Sequence, residues 1–535
     1  MRSHQLMVNA KPILLSVAPR KGKFWPWPPL LLVLAVGTVL RFHLLGVKSL
    51  WLDEVTTVGY AQMPWPEFLR TMWWGNGNMV FYYSLLRVWQ HLGDSEFCLR
   101  SLSALFGIAA IPATYALGNR FLSRKAGLFA ACLLAVHSFH IQYSQEVRSY
   151  SFLVLLLILC AYAFLAAIET PERTSLWALY ILLSTLAIYT QVFAVFVLAS
   201  QWLVLTPYRI KRLGVLRLLS TAAAIGILAI PIAAVIVLHN QDQVATWSDF
   251  YHNPGLVDMS EVLQRIAGAK AGDAPTSLRV MILLTFYVAA WVLAIRPVFR
   301  PTRDRTAEPM TNLTLALMAC WLIFPIVAMF CFSFLEPIFH PRYLLMCVPA
   351  AALLAGQGLA AAEQLLPRGR IFSLAAFLLM VVLELFGTRA YYSSFKGYGN
   401  DWRGVTQYIL SKQEPEDAVI FYTFTGHREF EYYVQREREA GRRIVTPTVF
   451  FPLSLDPPTI KKRAEPYHRV WLILHQTIPT LSTEKQSELI RSSLSPRFRL
   501  VAETEFPGAG ATRGESGRIT VILYTAASPG LQVGE

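Results

Sequence analysis

The chain is 535 residues long and 54% hydrophobic, with only 15% of its residues charged, too few charges for a soluble protein of this size. Its formal net charge is +14, but no basic patch interleaved with aromatics and no nucleic-acid motif accompanies that excess, so a nucleic-acid partner is excluded. Apolar runs of about twenty residues recur along the sequence, each long enough to cross a bilayer as a helix, and the class is a polytopic α-helical membrane protein.

In chain order, residues 1–23, "MRSHQLMVNAKPILLSVAPRKGK", read as a basic cytoplasmic N-terminal segment. No small-residue cleavage site follows the first apolar run, and many more runs come after it, so that run reads as an uncleaved helix and not a signal peptide. Apolar runs fall at about 24–45, 97–118, 127–144, 150–168, 176–191, 193–207, 218–238, 279–296, 311–333, 342–362 and 371–388, predicting about 11 transmembrane helices. The stretch 79–92, "MVFYYSLLRVWQHL", is apolar but short and contains Arg87 and His91; it reads as a helix lying at the interface. With the N-terminus cytoplasmic, the connections on that side hold 19 Lys and Arg, and the longer opposite connections about half as many, the positive-inside pattern. Within a membrane domain 24–390 the outer connections are then 46–96, 145–149, 239–278 and 334–342. Asn312-Leu-Thr would open a span from the cytoplasmic side and is discounted as a glycosylation acceptor.

From 391 the apolar runs shorten and charge rises. Strands are predicted at 417–424, 469–475, 498–506 and 518–526, and helices at 401–412, 428–439 and 483–494. Alternating elements of this kind predict a C-terminal α/β domain over 391–535, placed outside the cytoplasm by the topology. All six cysteines precede it, five in or beside apolar runs and Cys98 in a short connector, without CxxC spacing, which suggests small buried hydrophobes.

The segment "SLWLDEVTT", 49–57, sets two adjacent carboxylates, Asp53 and Glu54, just past the first span. Asp53 as a helix N-cap is one reading. The other rests on the setting: Leu50, Trp51 and Leu52 embed the loop at the interface, where a partly desolvated carboxylate makes a better general base. The turn "QEVRS" is so short that Glu146 and Arg148 are held at the outer mouth of the bundle. An ordinary turn ion pair is one reading of them; the planar fork of arginine is also suited to phosphate oxygens. His137 and His140 lie one helical turn apart, a spacing commoner for packed histidines than for metal ligands. In "FHPRYLL", Arg342 opens a span after a proline, beside Tyr343, where an interface anchor is also expected.

Together these segments resemble the protein O-mannosyltransferase and aminoarabinose-transferase group, family 39-like glycosyltransferases of the membrane-embedded C-type fold. "WLDE" is similar to that group's first outer loop. "NMVFYYSLLRVWQHLGDSEFCLRSLSALFG" resembles its aromatic helix followed by Gly, Arg and a Ser/Ala-rich span, "YSQEVRSYS" its second outer loop, and "RYLLMCVPAAALLAGQGL" a late span of bacterial members. The likeness covers roughly 25–390. One departure stands out: where many members carry His-Pro-Pro, this chain reads "WWGNGNMVFYY".

The resemblance implies an inverting glycosyltransferase that takes a sugar from a polyprenyl-phosphate donor to a glycan, lipid or protein acceptor at the outer face. Such chemistry needs a carboxylate for the acceptor proton and positive charge for the departing phosphate. Asp53 is the expected general base, with Glu54 positioning the acceptor or tuning Asp53. Glu146 is expected to hydrogen-bond substrate or hold a divalent metal, Arg148 and Arg342 to bind the phosphate, and Tyr82, Tyr83 and Tyr150 to line the lipid or sugar pocket or pack as interface aromatics. A bacterial inner membrane is the expected location. The rival is a transporter or flippase of lipid-linked sugars, which would place ionisable residues at mid-bilayer; here only Glu384 approaches that position. A non-catalytic scaffold with a binding C-terminal domain is the third reading.

Overall fold

The computed structural model describes residues 27–74, 77–239, 253–268, 277–299, 310–393, 400–421, 426–442, 444, 448–450, 457–476, 481–495, 497–508 and 517–526. The first helix, α1 (Trp27–Phe42), is followed by three short ones, α2 (Leu52–Gln62), α3 (Trp65–Trp74) and α4 (Val80–Trp89). The apolar α4 buries Tyr82, Tyr83 and Leu86 on one face. Next come α5 (Glu96–Phe121), capped by Ser95, then α6 (Arg124–Val136) and α7 (Ser138–Ser144). These last two form one apolar run bent by 60° at His137. The series continues with α8 (Tyr150–Glu169), α9 (Thr174–Thr190), α10 (Ala194–Leu203), α11 (Pro207–Leu213), α12 (Val215–His239), α13 (Leu256–Ile266), α14 (Leu278–Ile295) and α15 (Met310–Phe332). A 3-10 turn, Pro341–Cys347, leads into α16 (Val348–Leu365), and α17 (Gly369–Ser393) closes the bundle.

Among the described residues, seven helices are long and apolar enough to cross a membrane, and the bent α6–α7 pair makes an eighth. The other three predicted runs form the shorter helices α1, α9 and α10, of 16, 17 and 10 residues. α8 and α16 are buried along most of their length, whereas α12, α14 and α17 turn apolar side chains outward. Small side chains let the inner helices approach closely: a Cβ on Gly356 of α16 would lie 2.4 Å from the Ala126 carbonyl oxygen of α6.

The remaining elements are α18 (Trp402–Lys412), β1 (Ala418–Phe421), α19 (His427–Glu439), β2 (Thr448–Phe450), α20 (Pro457–Ala464), β3 (Arg469–Gln476), α21 (Leu481–Leu494), β4 (Phe498–Gly508) and β5 (Gly517–Ala526). The strands form one sheet in the order β2-β1-β3-β5-β4. β2, β1 and β3 are parallel, and β5 and β4 are antiparallel to their neighbours. Both faces are covered. Val470, Leu472 and Leu474 pack on one side with Ile460 and Ile490, while Trp471 and Ile473 pack on the other with Trp402 and Phe430, the period-two alternation of a strand buried twice. β2 and α20 were not foreseen; one has three residues and the other eight, too few for a period to show.

Candidate active site

After α1 the chain passes through residues 49–51 without helix or strand and turns into α2 at Leu52. Trp51 is the residue before the helix, and its N–H donates to Glu54 Oε2 at 3.3 Å. Glu54 at the third helical position thus reaches back over the helix start, as in a capping box. The N-cap reading of Asp53 is corrected: it lies inside the first turn with its side chain free of capping duty.

Glu54 is fully buried. Its carboxylate receives a two-pronged bond from Arg100 on α5, Nε to Oε1 at 2.8 Å and Nη2 to Oε2 at 2.7 Å. The Val147 N–H donates to the same Oε1 at 2.8 Å. Arg100 spends its other hydrogens on the carbonyls of Leu45, Lys48 and Ser49. One ion pair therefore ties the first connection to α5 and to the turn 145–149. Each Glu54 oxygen thus accepts from two donors. Arg100 entered the sequence reading only as the Arg of the resembling segment and was given no role; the available signal was a cation one turn into an apolar helix, where a bare charge is costly.

Asp53, one residue earlier, faces the other way. Arg342 Nη1 donates to its Oδ2 at 2.9 Å, and Arg148 Nη2 lies 3.7 Å from the same oxygen. Arg148 also donates to Thr57 Oγ1 at 3.0 Å. The Arg342 guanidinium sits 5.7 Å from the Trp51 ring centre, and its Nε donates to His340 Nδ1. Residues 53, 148 and 342, drawn from three separate connections, thus meet at one end of the bundle. The tyrosines serve as supports. The Tyr82 hydroxyl bonds Ser103 Oγ at 2.7 Å, and Ser103 donates to the Arg148 carbonyl. Tyr83 packs on Tyr60, and Tyr150 meets Tyr143 edge-on.

Glu146 is buried, and its Oε2 has no hydrogen-bond partner. It lines a small cleft with Lys48, Trp51, Glu54, Gln145 and Tyr391. Burial pushes its carboxyl up to about 8, the Glu54 and Asp53 charges add to that, and Arg342 and Arg148 oppose it. A divalent cation does not fit here, because the neighbouring carboxylates are already paired with guanidinium groups. Among the described residues no group of three or more His, Cys, Asp and Glu is arranged for a metal. His137 and His140 point to different partners, Ile266 O at 3.0 Å and Arg41 Nη2 at 2.8 Å.

The turn 145–149 owes its position to the bend at His137. A break in an apolar helix leaves backbone groups that lipid cannot satisfy. Arg41 of α1 donates to Leu134 O at 3.1 Å and Ala135 O at 2.9 Å, covering the C-terminal end of α6. Glu384 of α17 accepts from Ser138 N at 3.1 Å, covering the N-terminal end of α7. Cation at the carbonyl end and carboxylate at the amide end is the arrangement helix dipoles favour. Gly268 closes the cluster: its φ is +87°, its carbonyl accepts from Ser138 Oγ, and a Cβ there would lie 2.0 Å from Glu384 Oε1. Gly268→Ala is expected to destabilise the protein by at least ~1 kcal/mol, read as a lower melting temperature in detergent. An unchanged melt would mean that Glu384 can retreat without loss.

Residues 79–237 match the sequence family described as dolichyl-phosphate-mannose-protein mannosyltransferase. No curated protein matches the chain by sequence. Among solved structures, ArnT from Cupriavidus metallidurans in the apo state is similar at TM-score 0.55 and 14% identity, over 92% of this chain and 97% of that one. The same protein bound to undecaprenyl phosphate is similar at TM-score 0.50 and 15% identity, with the same coverage. The archaeal oligosaccharyltransferase AglB from Archaeoglobus fulgidus, in complex with an inhibitory peptide and a dolichol-phosphate, is similar at TM-score 0.52 and 11% identity, over 96% of this chain and 75% of that one. The resemblance read from the outer-loop segments therefore stands at the level of the fold: this is an integral membrane protein with the C-type fold of ArnT and AglB, and its residues 79–237 are similar to the mannosyltransferase family.

Proposed function

We propose that the chain is an inverting glycosyltransferase taking a sugar from a polyprenyl-phosphate donor to a hydroxyl-type acceptor at the outer face of a bacterial inner membrane. On this reading the chain crosses the membrane eleven times, and the α/β unit over 391–535 lies outside. The observation that carries it is the meeting of Asp53 with Arg148 and Arg342 from three connections. Two similar folds were solved with a polyprenyl phosphate, ArnT with undecaprenyl phosphate and AglB with dolichol-phosphate.

The acceptor oxygen attacks the anomeric carbon as the bond from that carbon to the phosphate oxygen breaks. The acceptor proton passes to Asp53, and the electron pair leaves with the lipid phosphate. Arg148 and Arg342 stabilise that developing negative charge. Both guanidinium groups lean on Asp53. A donor phosphate is the better partner for two arginine forks, and by drawing them away it frees the carboxylate lone pairs for the acceptor proton. Glu54 is assigned a positioning role, holding the segment before Asp53 through Arg100 and the turn 145–149 through the Val147 N–H. Glu146 keeps its proton at neutral pH and donates a hydrogen bond to the substrate. Tyr82, Tyr83 and Tyr150 hold Arg148 in place.

The test is a transfer assay on purified protein in lipid with a panel of polyprenyl-phosphate sugars, comparing wild type with Asp53→Asn. Product formed by wild type alone supports the reading and names the sugar. Movement of labelled lipid-linked sugar across the bilayer without product moves the assignment to transport, with Asp53 as a gate.

Glu146 adds a pH signature. Its folded-state value near 8 lies above the ordinary 4.5, so the folded protein holds a proton that the unfolded chain has released. Stability therefore falls as pH rises from about 4.5 to about 8. In Glu146→Gln the melting temperature is expected to vary less over that window. Transfer by wild type is expected to decline as pH rises through about 8; a rate that climbs there would reverse the role given to Glu146.

A further inference from the structure

The α/β unit reaches into the connection that carries Asp53. Tyr433 of α19 is buried, and its hydroxyl accepts from the Leu50 N–H at 2.7 Å and donates to Glu96 Oε1 at 3.1 Å. Leu50 is fully buried and lies three residues before Asp53. Arg403 of α18 donates to the Val47 carbonyl at 2.6 Å and to Glu96 Oε1 at 3.2 Å, and its own N–H donates to Ser49 Oγ. Ser49 in turn donates to Asp401 Oδ1. Arg436 of α19 pairs with Glu96 Oε2 at 3.2 Å.

Glu96 opens α5, and Arg100, one helical turn later, holds Glu54. The segment 47–50 has no helix or strand of its own, so its backbone groups depend on these partners. Val47 O, Leu50 N and the Ser49 hydroxyl all find them in α18 and α19. Those bonds interleave with the carbonyls that Arg100 covers at Leu45, Lys48 and Ser49. The run leading into Asp53 is thus gripped from the bundle by one arginine and from the α/β unit by another, together with a tyrosine.

We propose that Tyr433, with Arg403 and Arg436, is a positioning residue for transfer, and that the α/β unit serves to fix the segment 47–50 and, through it, the Asp53 carboxylate. This rests on the proposed function of Asp53. A clamp of this kind acts on the geometry of the reacting groups and leaves donor binding by Arg148 and Arg342 largely unaltered. Its loss therefore lowers kcat more than it raises the donor KM.

The experiment uses the full chain in lipid with Tyr433→Phe, which keeps the ring and removes the hydroxyl, and Arg403→Ala as a second variant. Arg491→Ala serves as the control; that residue pairs with Glu503 on α21 and β4, away from the connection. Transfer kinetics and hydrogen exchange of the amides at 50–54 are read together. The expected result is a ~10-fold lower kcat in the two clamp variants, donor KM within about twofold, faster exchange at 50–54 and an unchanged global melt, with the control like wild type. Wild-type kcat and exchange in folded Tyr433→Phe and Arg403→Ala overturn the proposal. If wild type itself transfers no sugar, the reading of Asp53 fails separately, and exchange alone decides the clamp: faster exchange at 50–54 supports it, unchanged exchange removes it.

Discussion

Asp53→Asn is expected to lower the rate of sugar transfer by about three orders of magnitude, within the range general bases contribute, while the protein still folds and still binds donor. The side chain is nearly isosteric, and its fold-level contacts are few: among the described residues its carboxylate pairs with Arg342 and Arg148. The amide keeps an oxygen for Arg342 but cannot take a proton from the acceptor. Donor KM should stay level or fall slightly, because two guanidinium groups no longer have to leave a carboxylate to meet the phosphate. Measurement of kcat and KM with one active donor checks this. A variant that transfers at the wild-type rate moves the base elsewhere, with Glu146 next in line.

Glu54→Gln, one position on, should fail differently. It leaves the Arg100 guanidinium buried and without its anion, a loss of about 3–5 kcal/mol for breaking one side of a buried pair. The expected signs are a much lower melting temperature and a poor yield of monodisperse protein, and not a clean kinetic defect. Arg100→Lys should not restore stability, because an ammonium cannot give two parallel bonds to Glu54 while also reaching three carbonyls. The neighbouring carboxylates are thus separable by assay: on the proposed reading Asp53 carries chemistry and Glu54 carries structure. A well-folded, inactive Glu54→Gln would contradict that division and return Glu54 to contact with substrate.

The membrane segments were legible because twenty apolar residues in a row admit few other readings. The residue types gathered at the mouth were legible too, since Asp53, Arg148 and Arg342 each interrupt apolar sequence at a boundary. What the sequence hid was the division of labour. Asp53 and Glu54 differ by one residue and by about a hundred degrees around α2, and only the position of Arg100, 46 residues on, decides which of them is spent on structure. The bend at His137 was hidden for a similar reason. The run 127–144 has no proline or glycine at the break, and the side chains that make the break tolerable come from α1 and α17. Tyr433 could not have been found at all, because its partner is a backbone N–H nearly four hundred residues away.

The distant origin of those partners sets an order of assembly. Ser138 waits for Glu384, 246 residues later in the chain, and Asp53 waits for Arg342, 289 residues later. At a synthesis rate of roughly 5–20 residues per second, the break at His137 stands incomplete for on the order of ten to fifty seconds after it emerges. Until α17 arrives, the α7 amide end lacks the carboxylate that covers it, and the turn 145–149 lacks its support. A ribosome-bound chain therefore carries every residue of the mouth well before it carries a working one, and a chain truncated before residue 384 has no finished site. On the proposed reading, competence for the chemistry waits first for α17 and then for Arg403 and Tyr433, which are made after it.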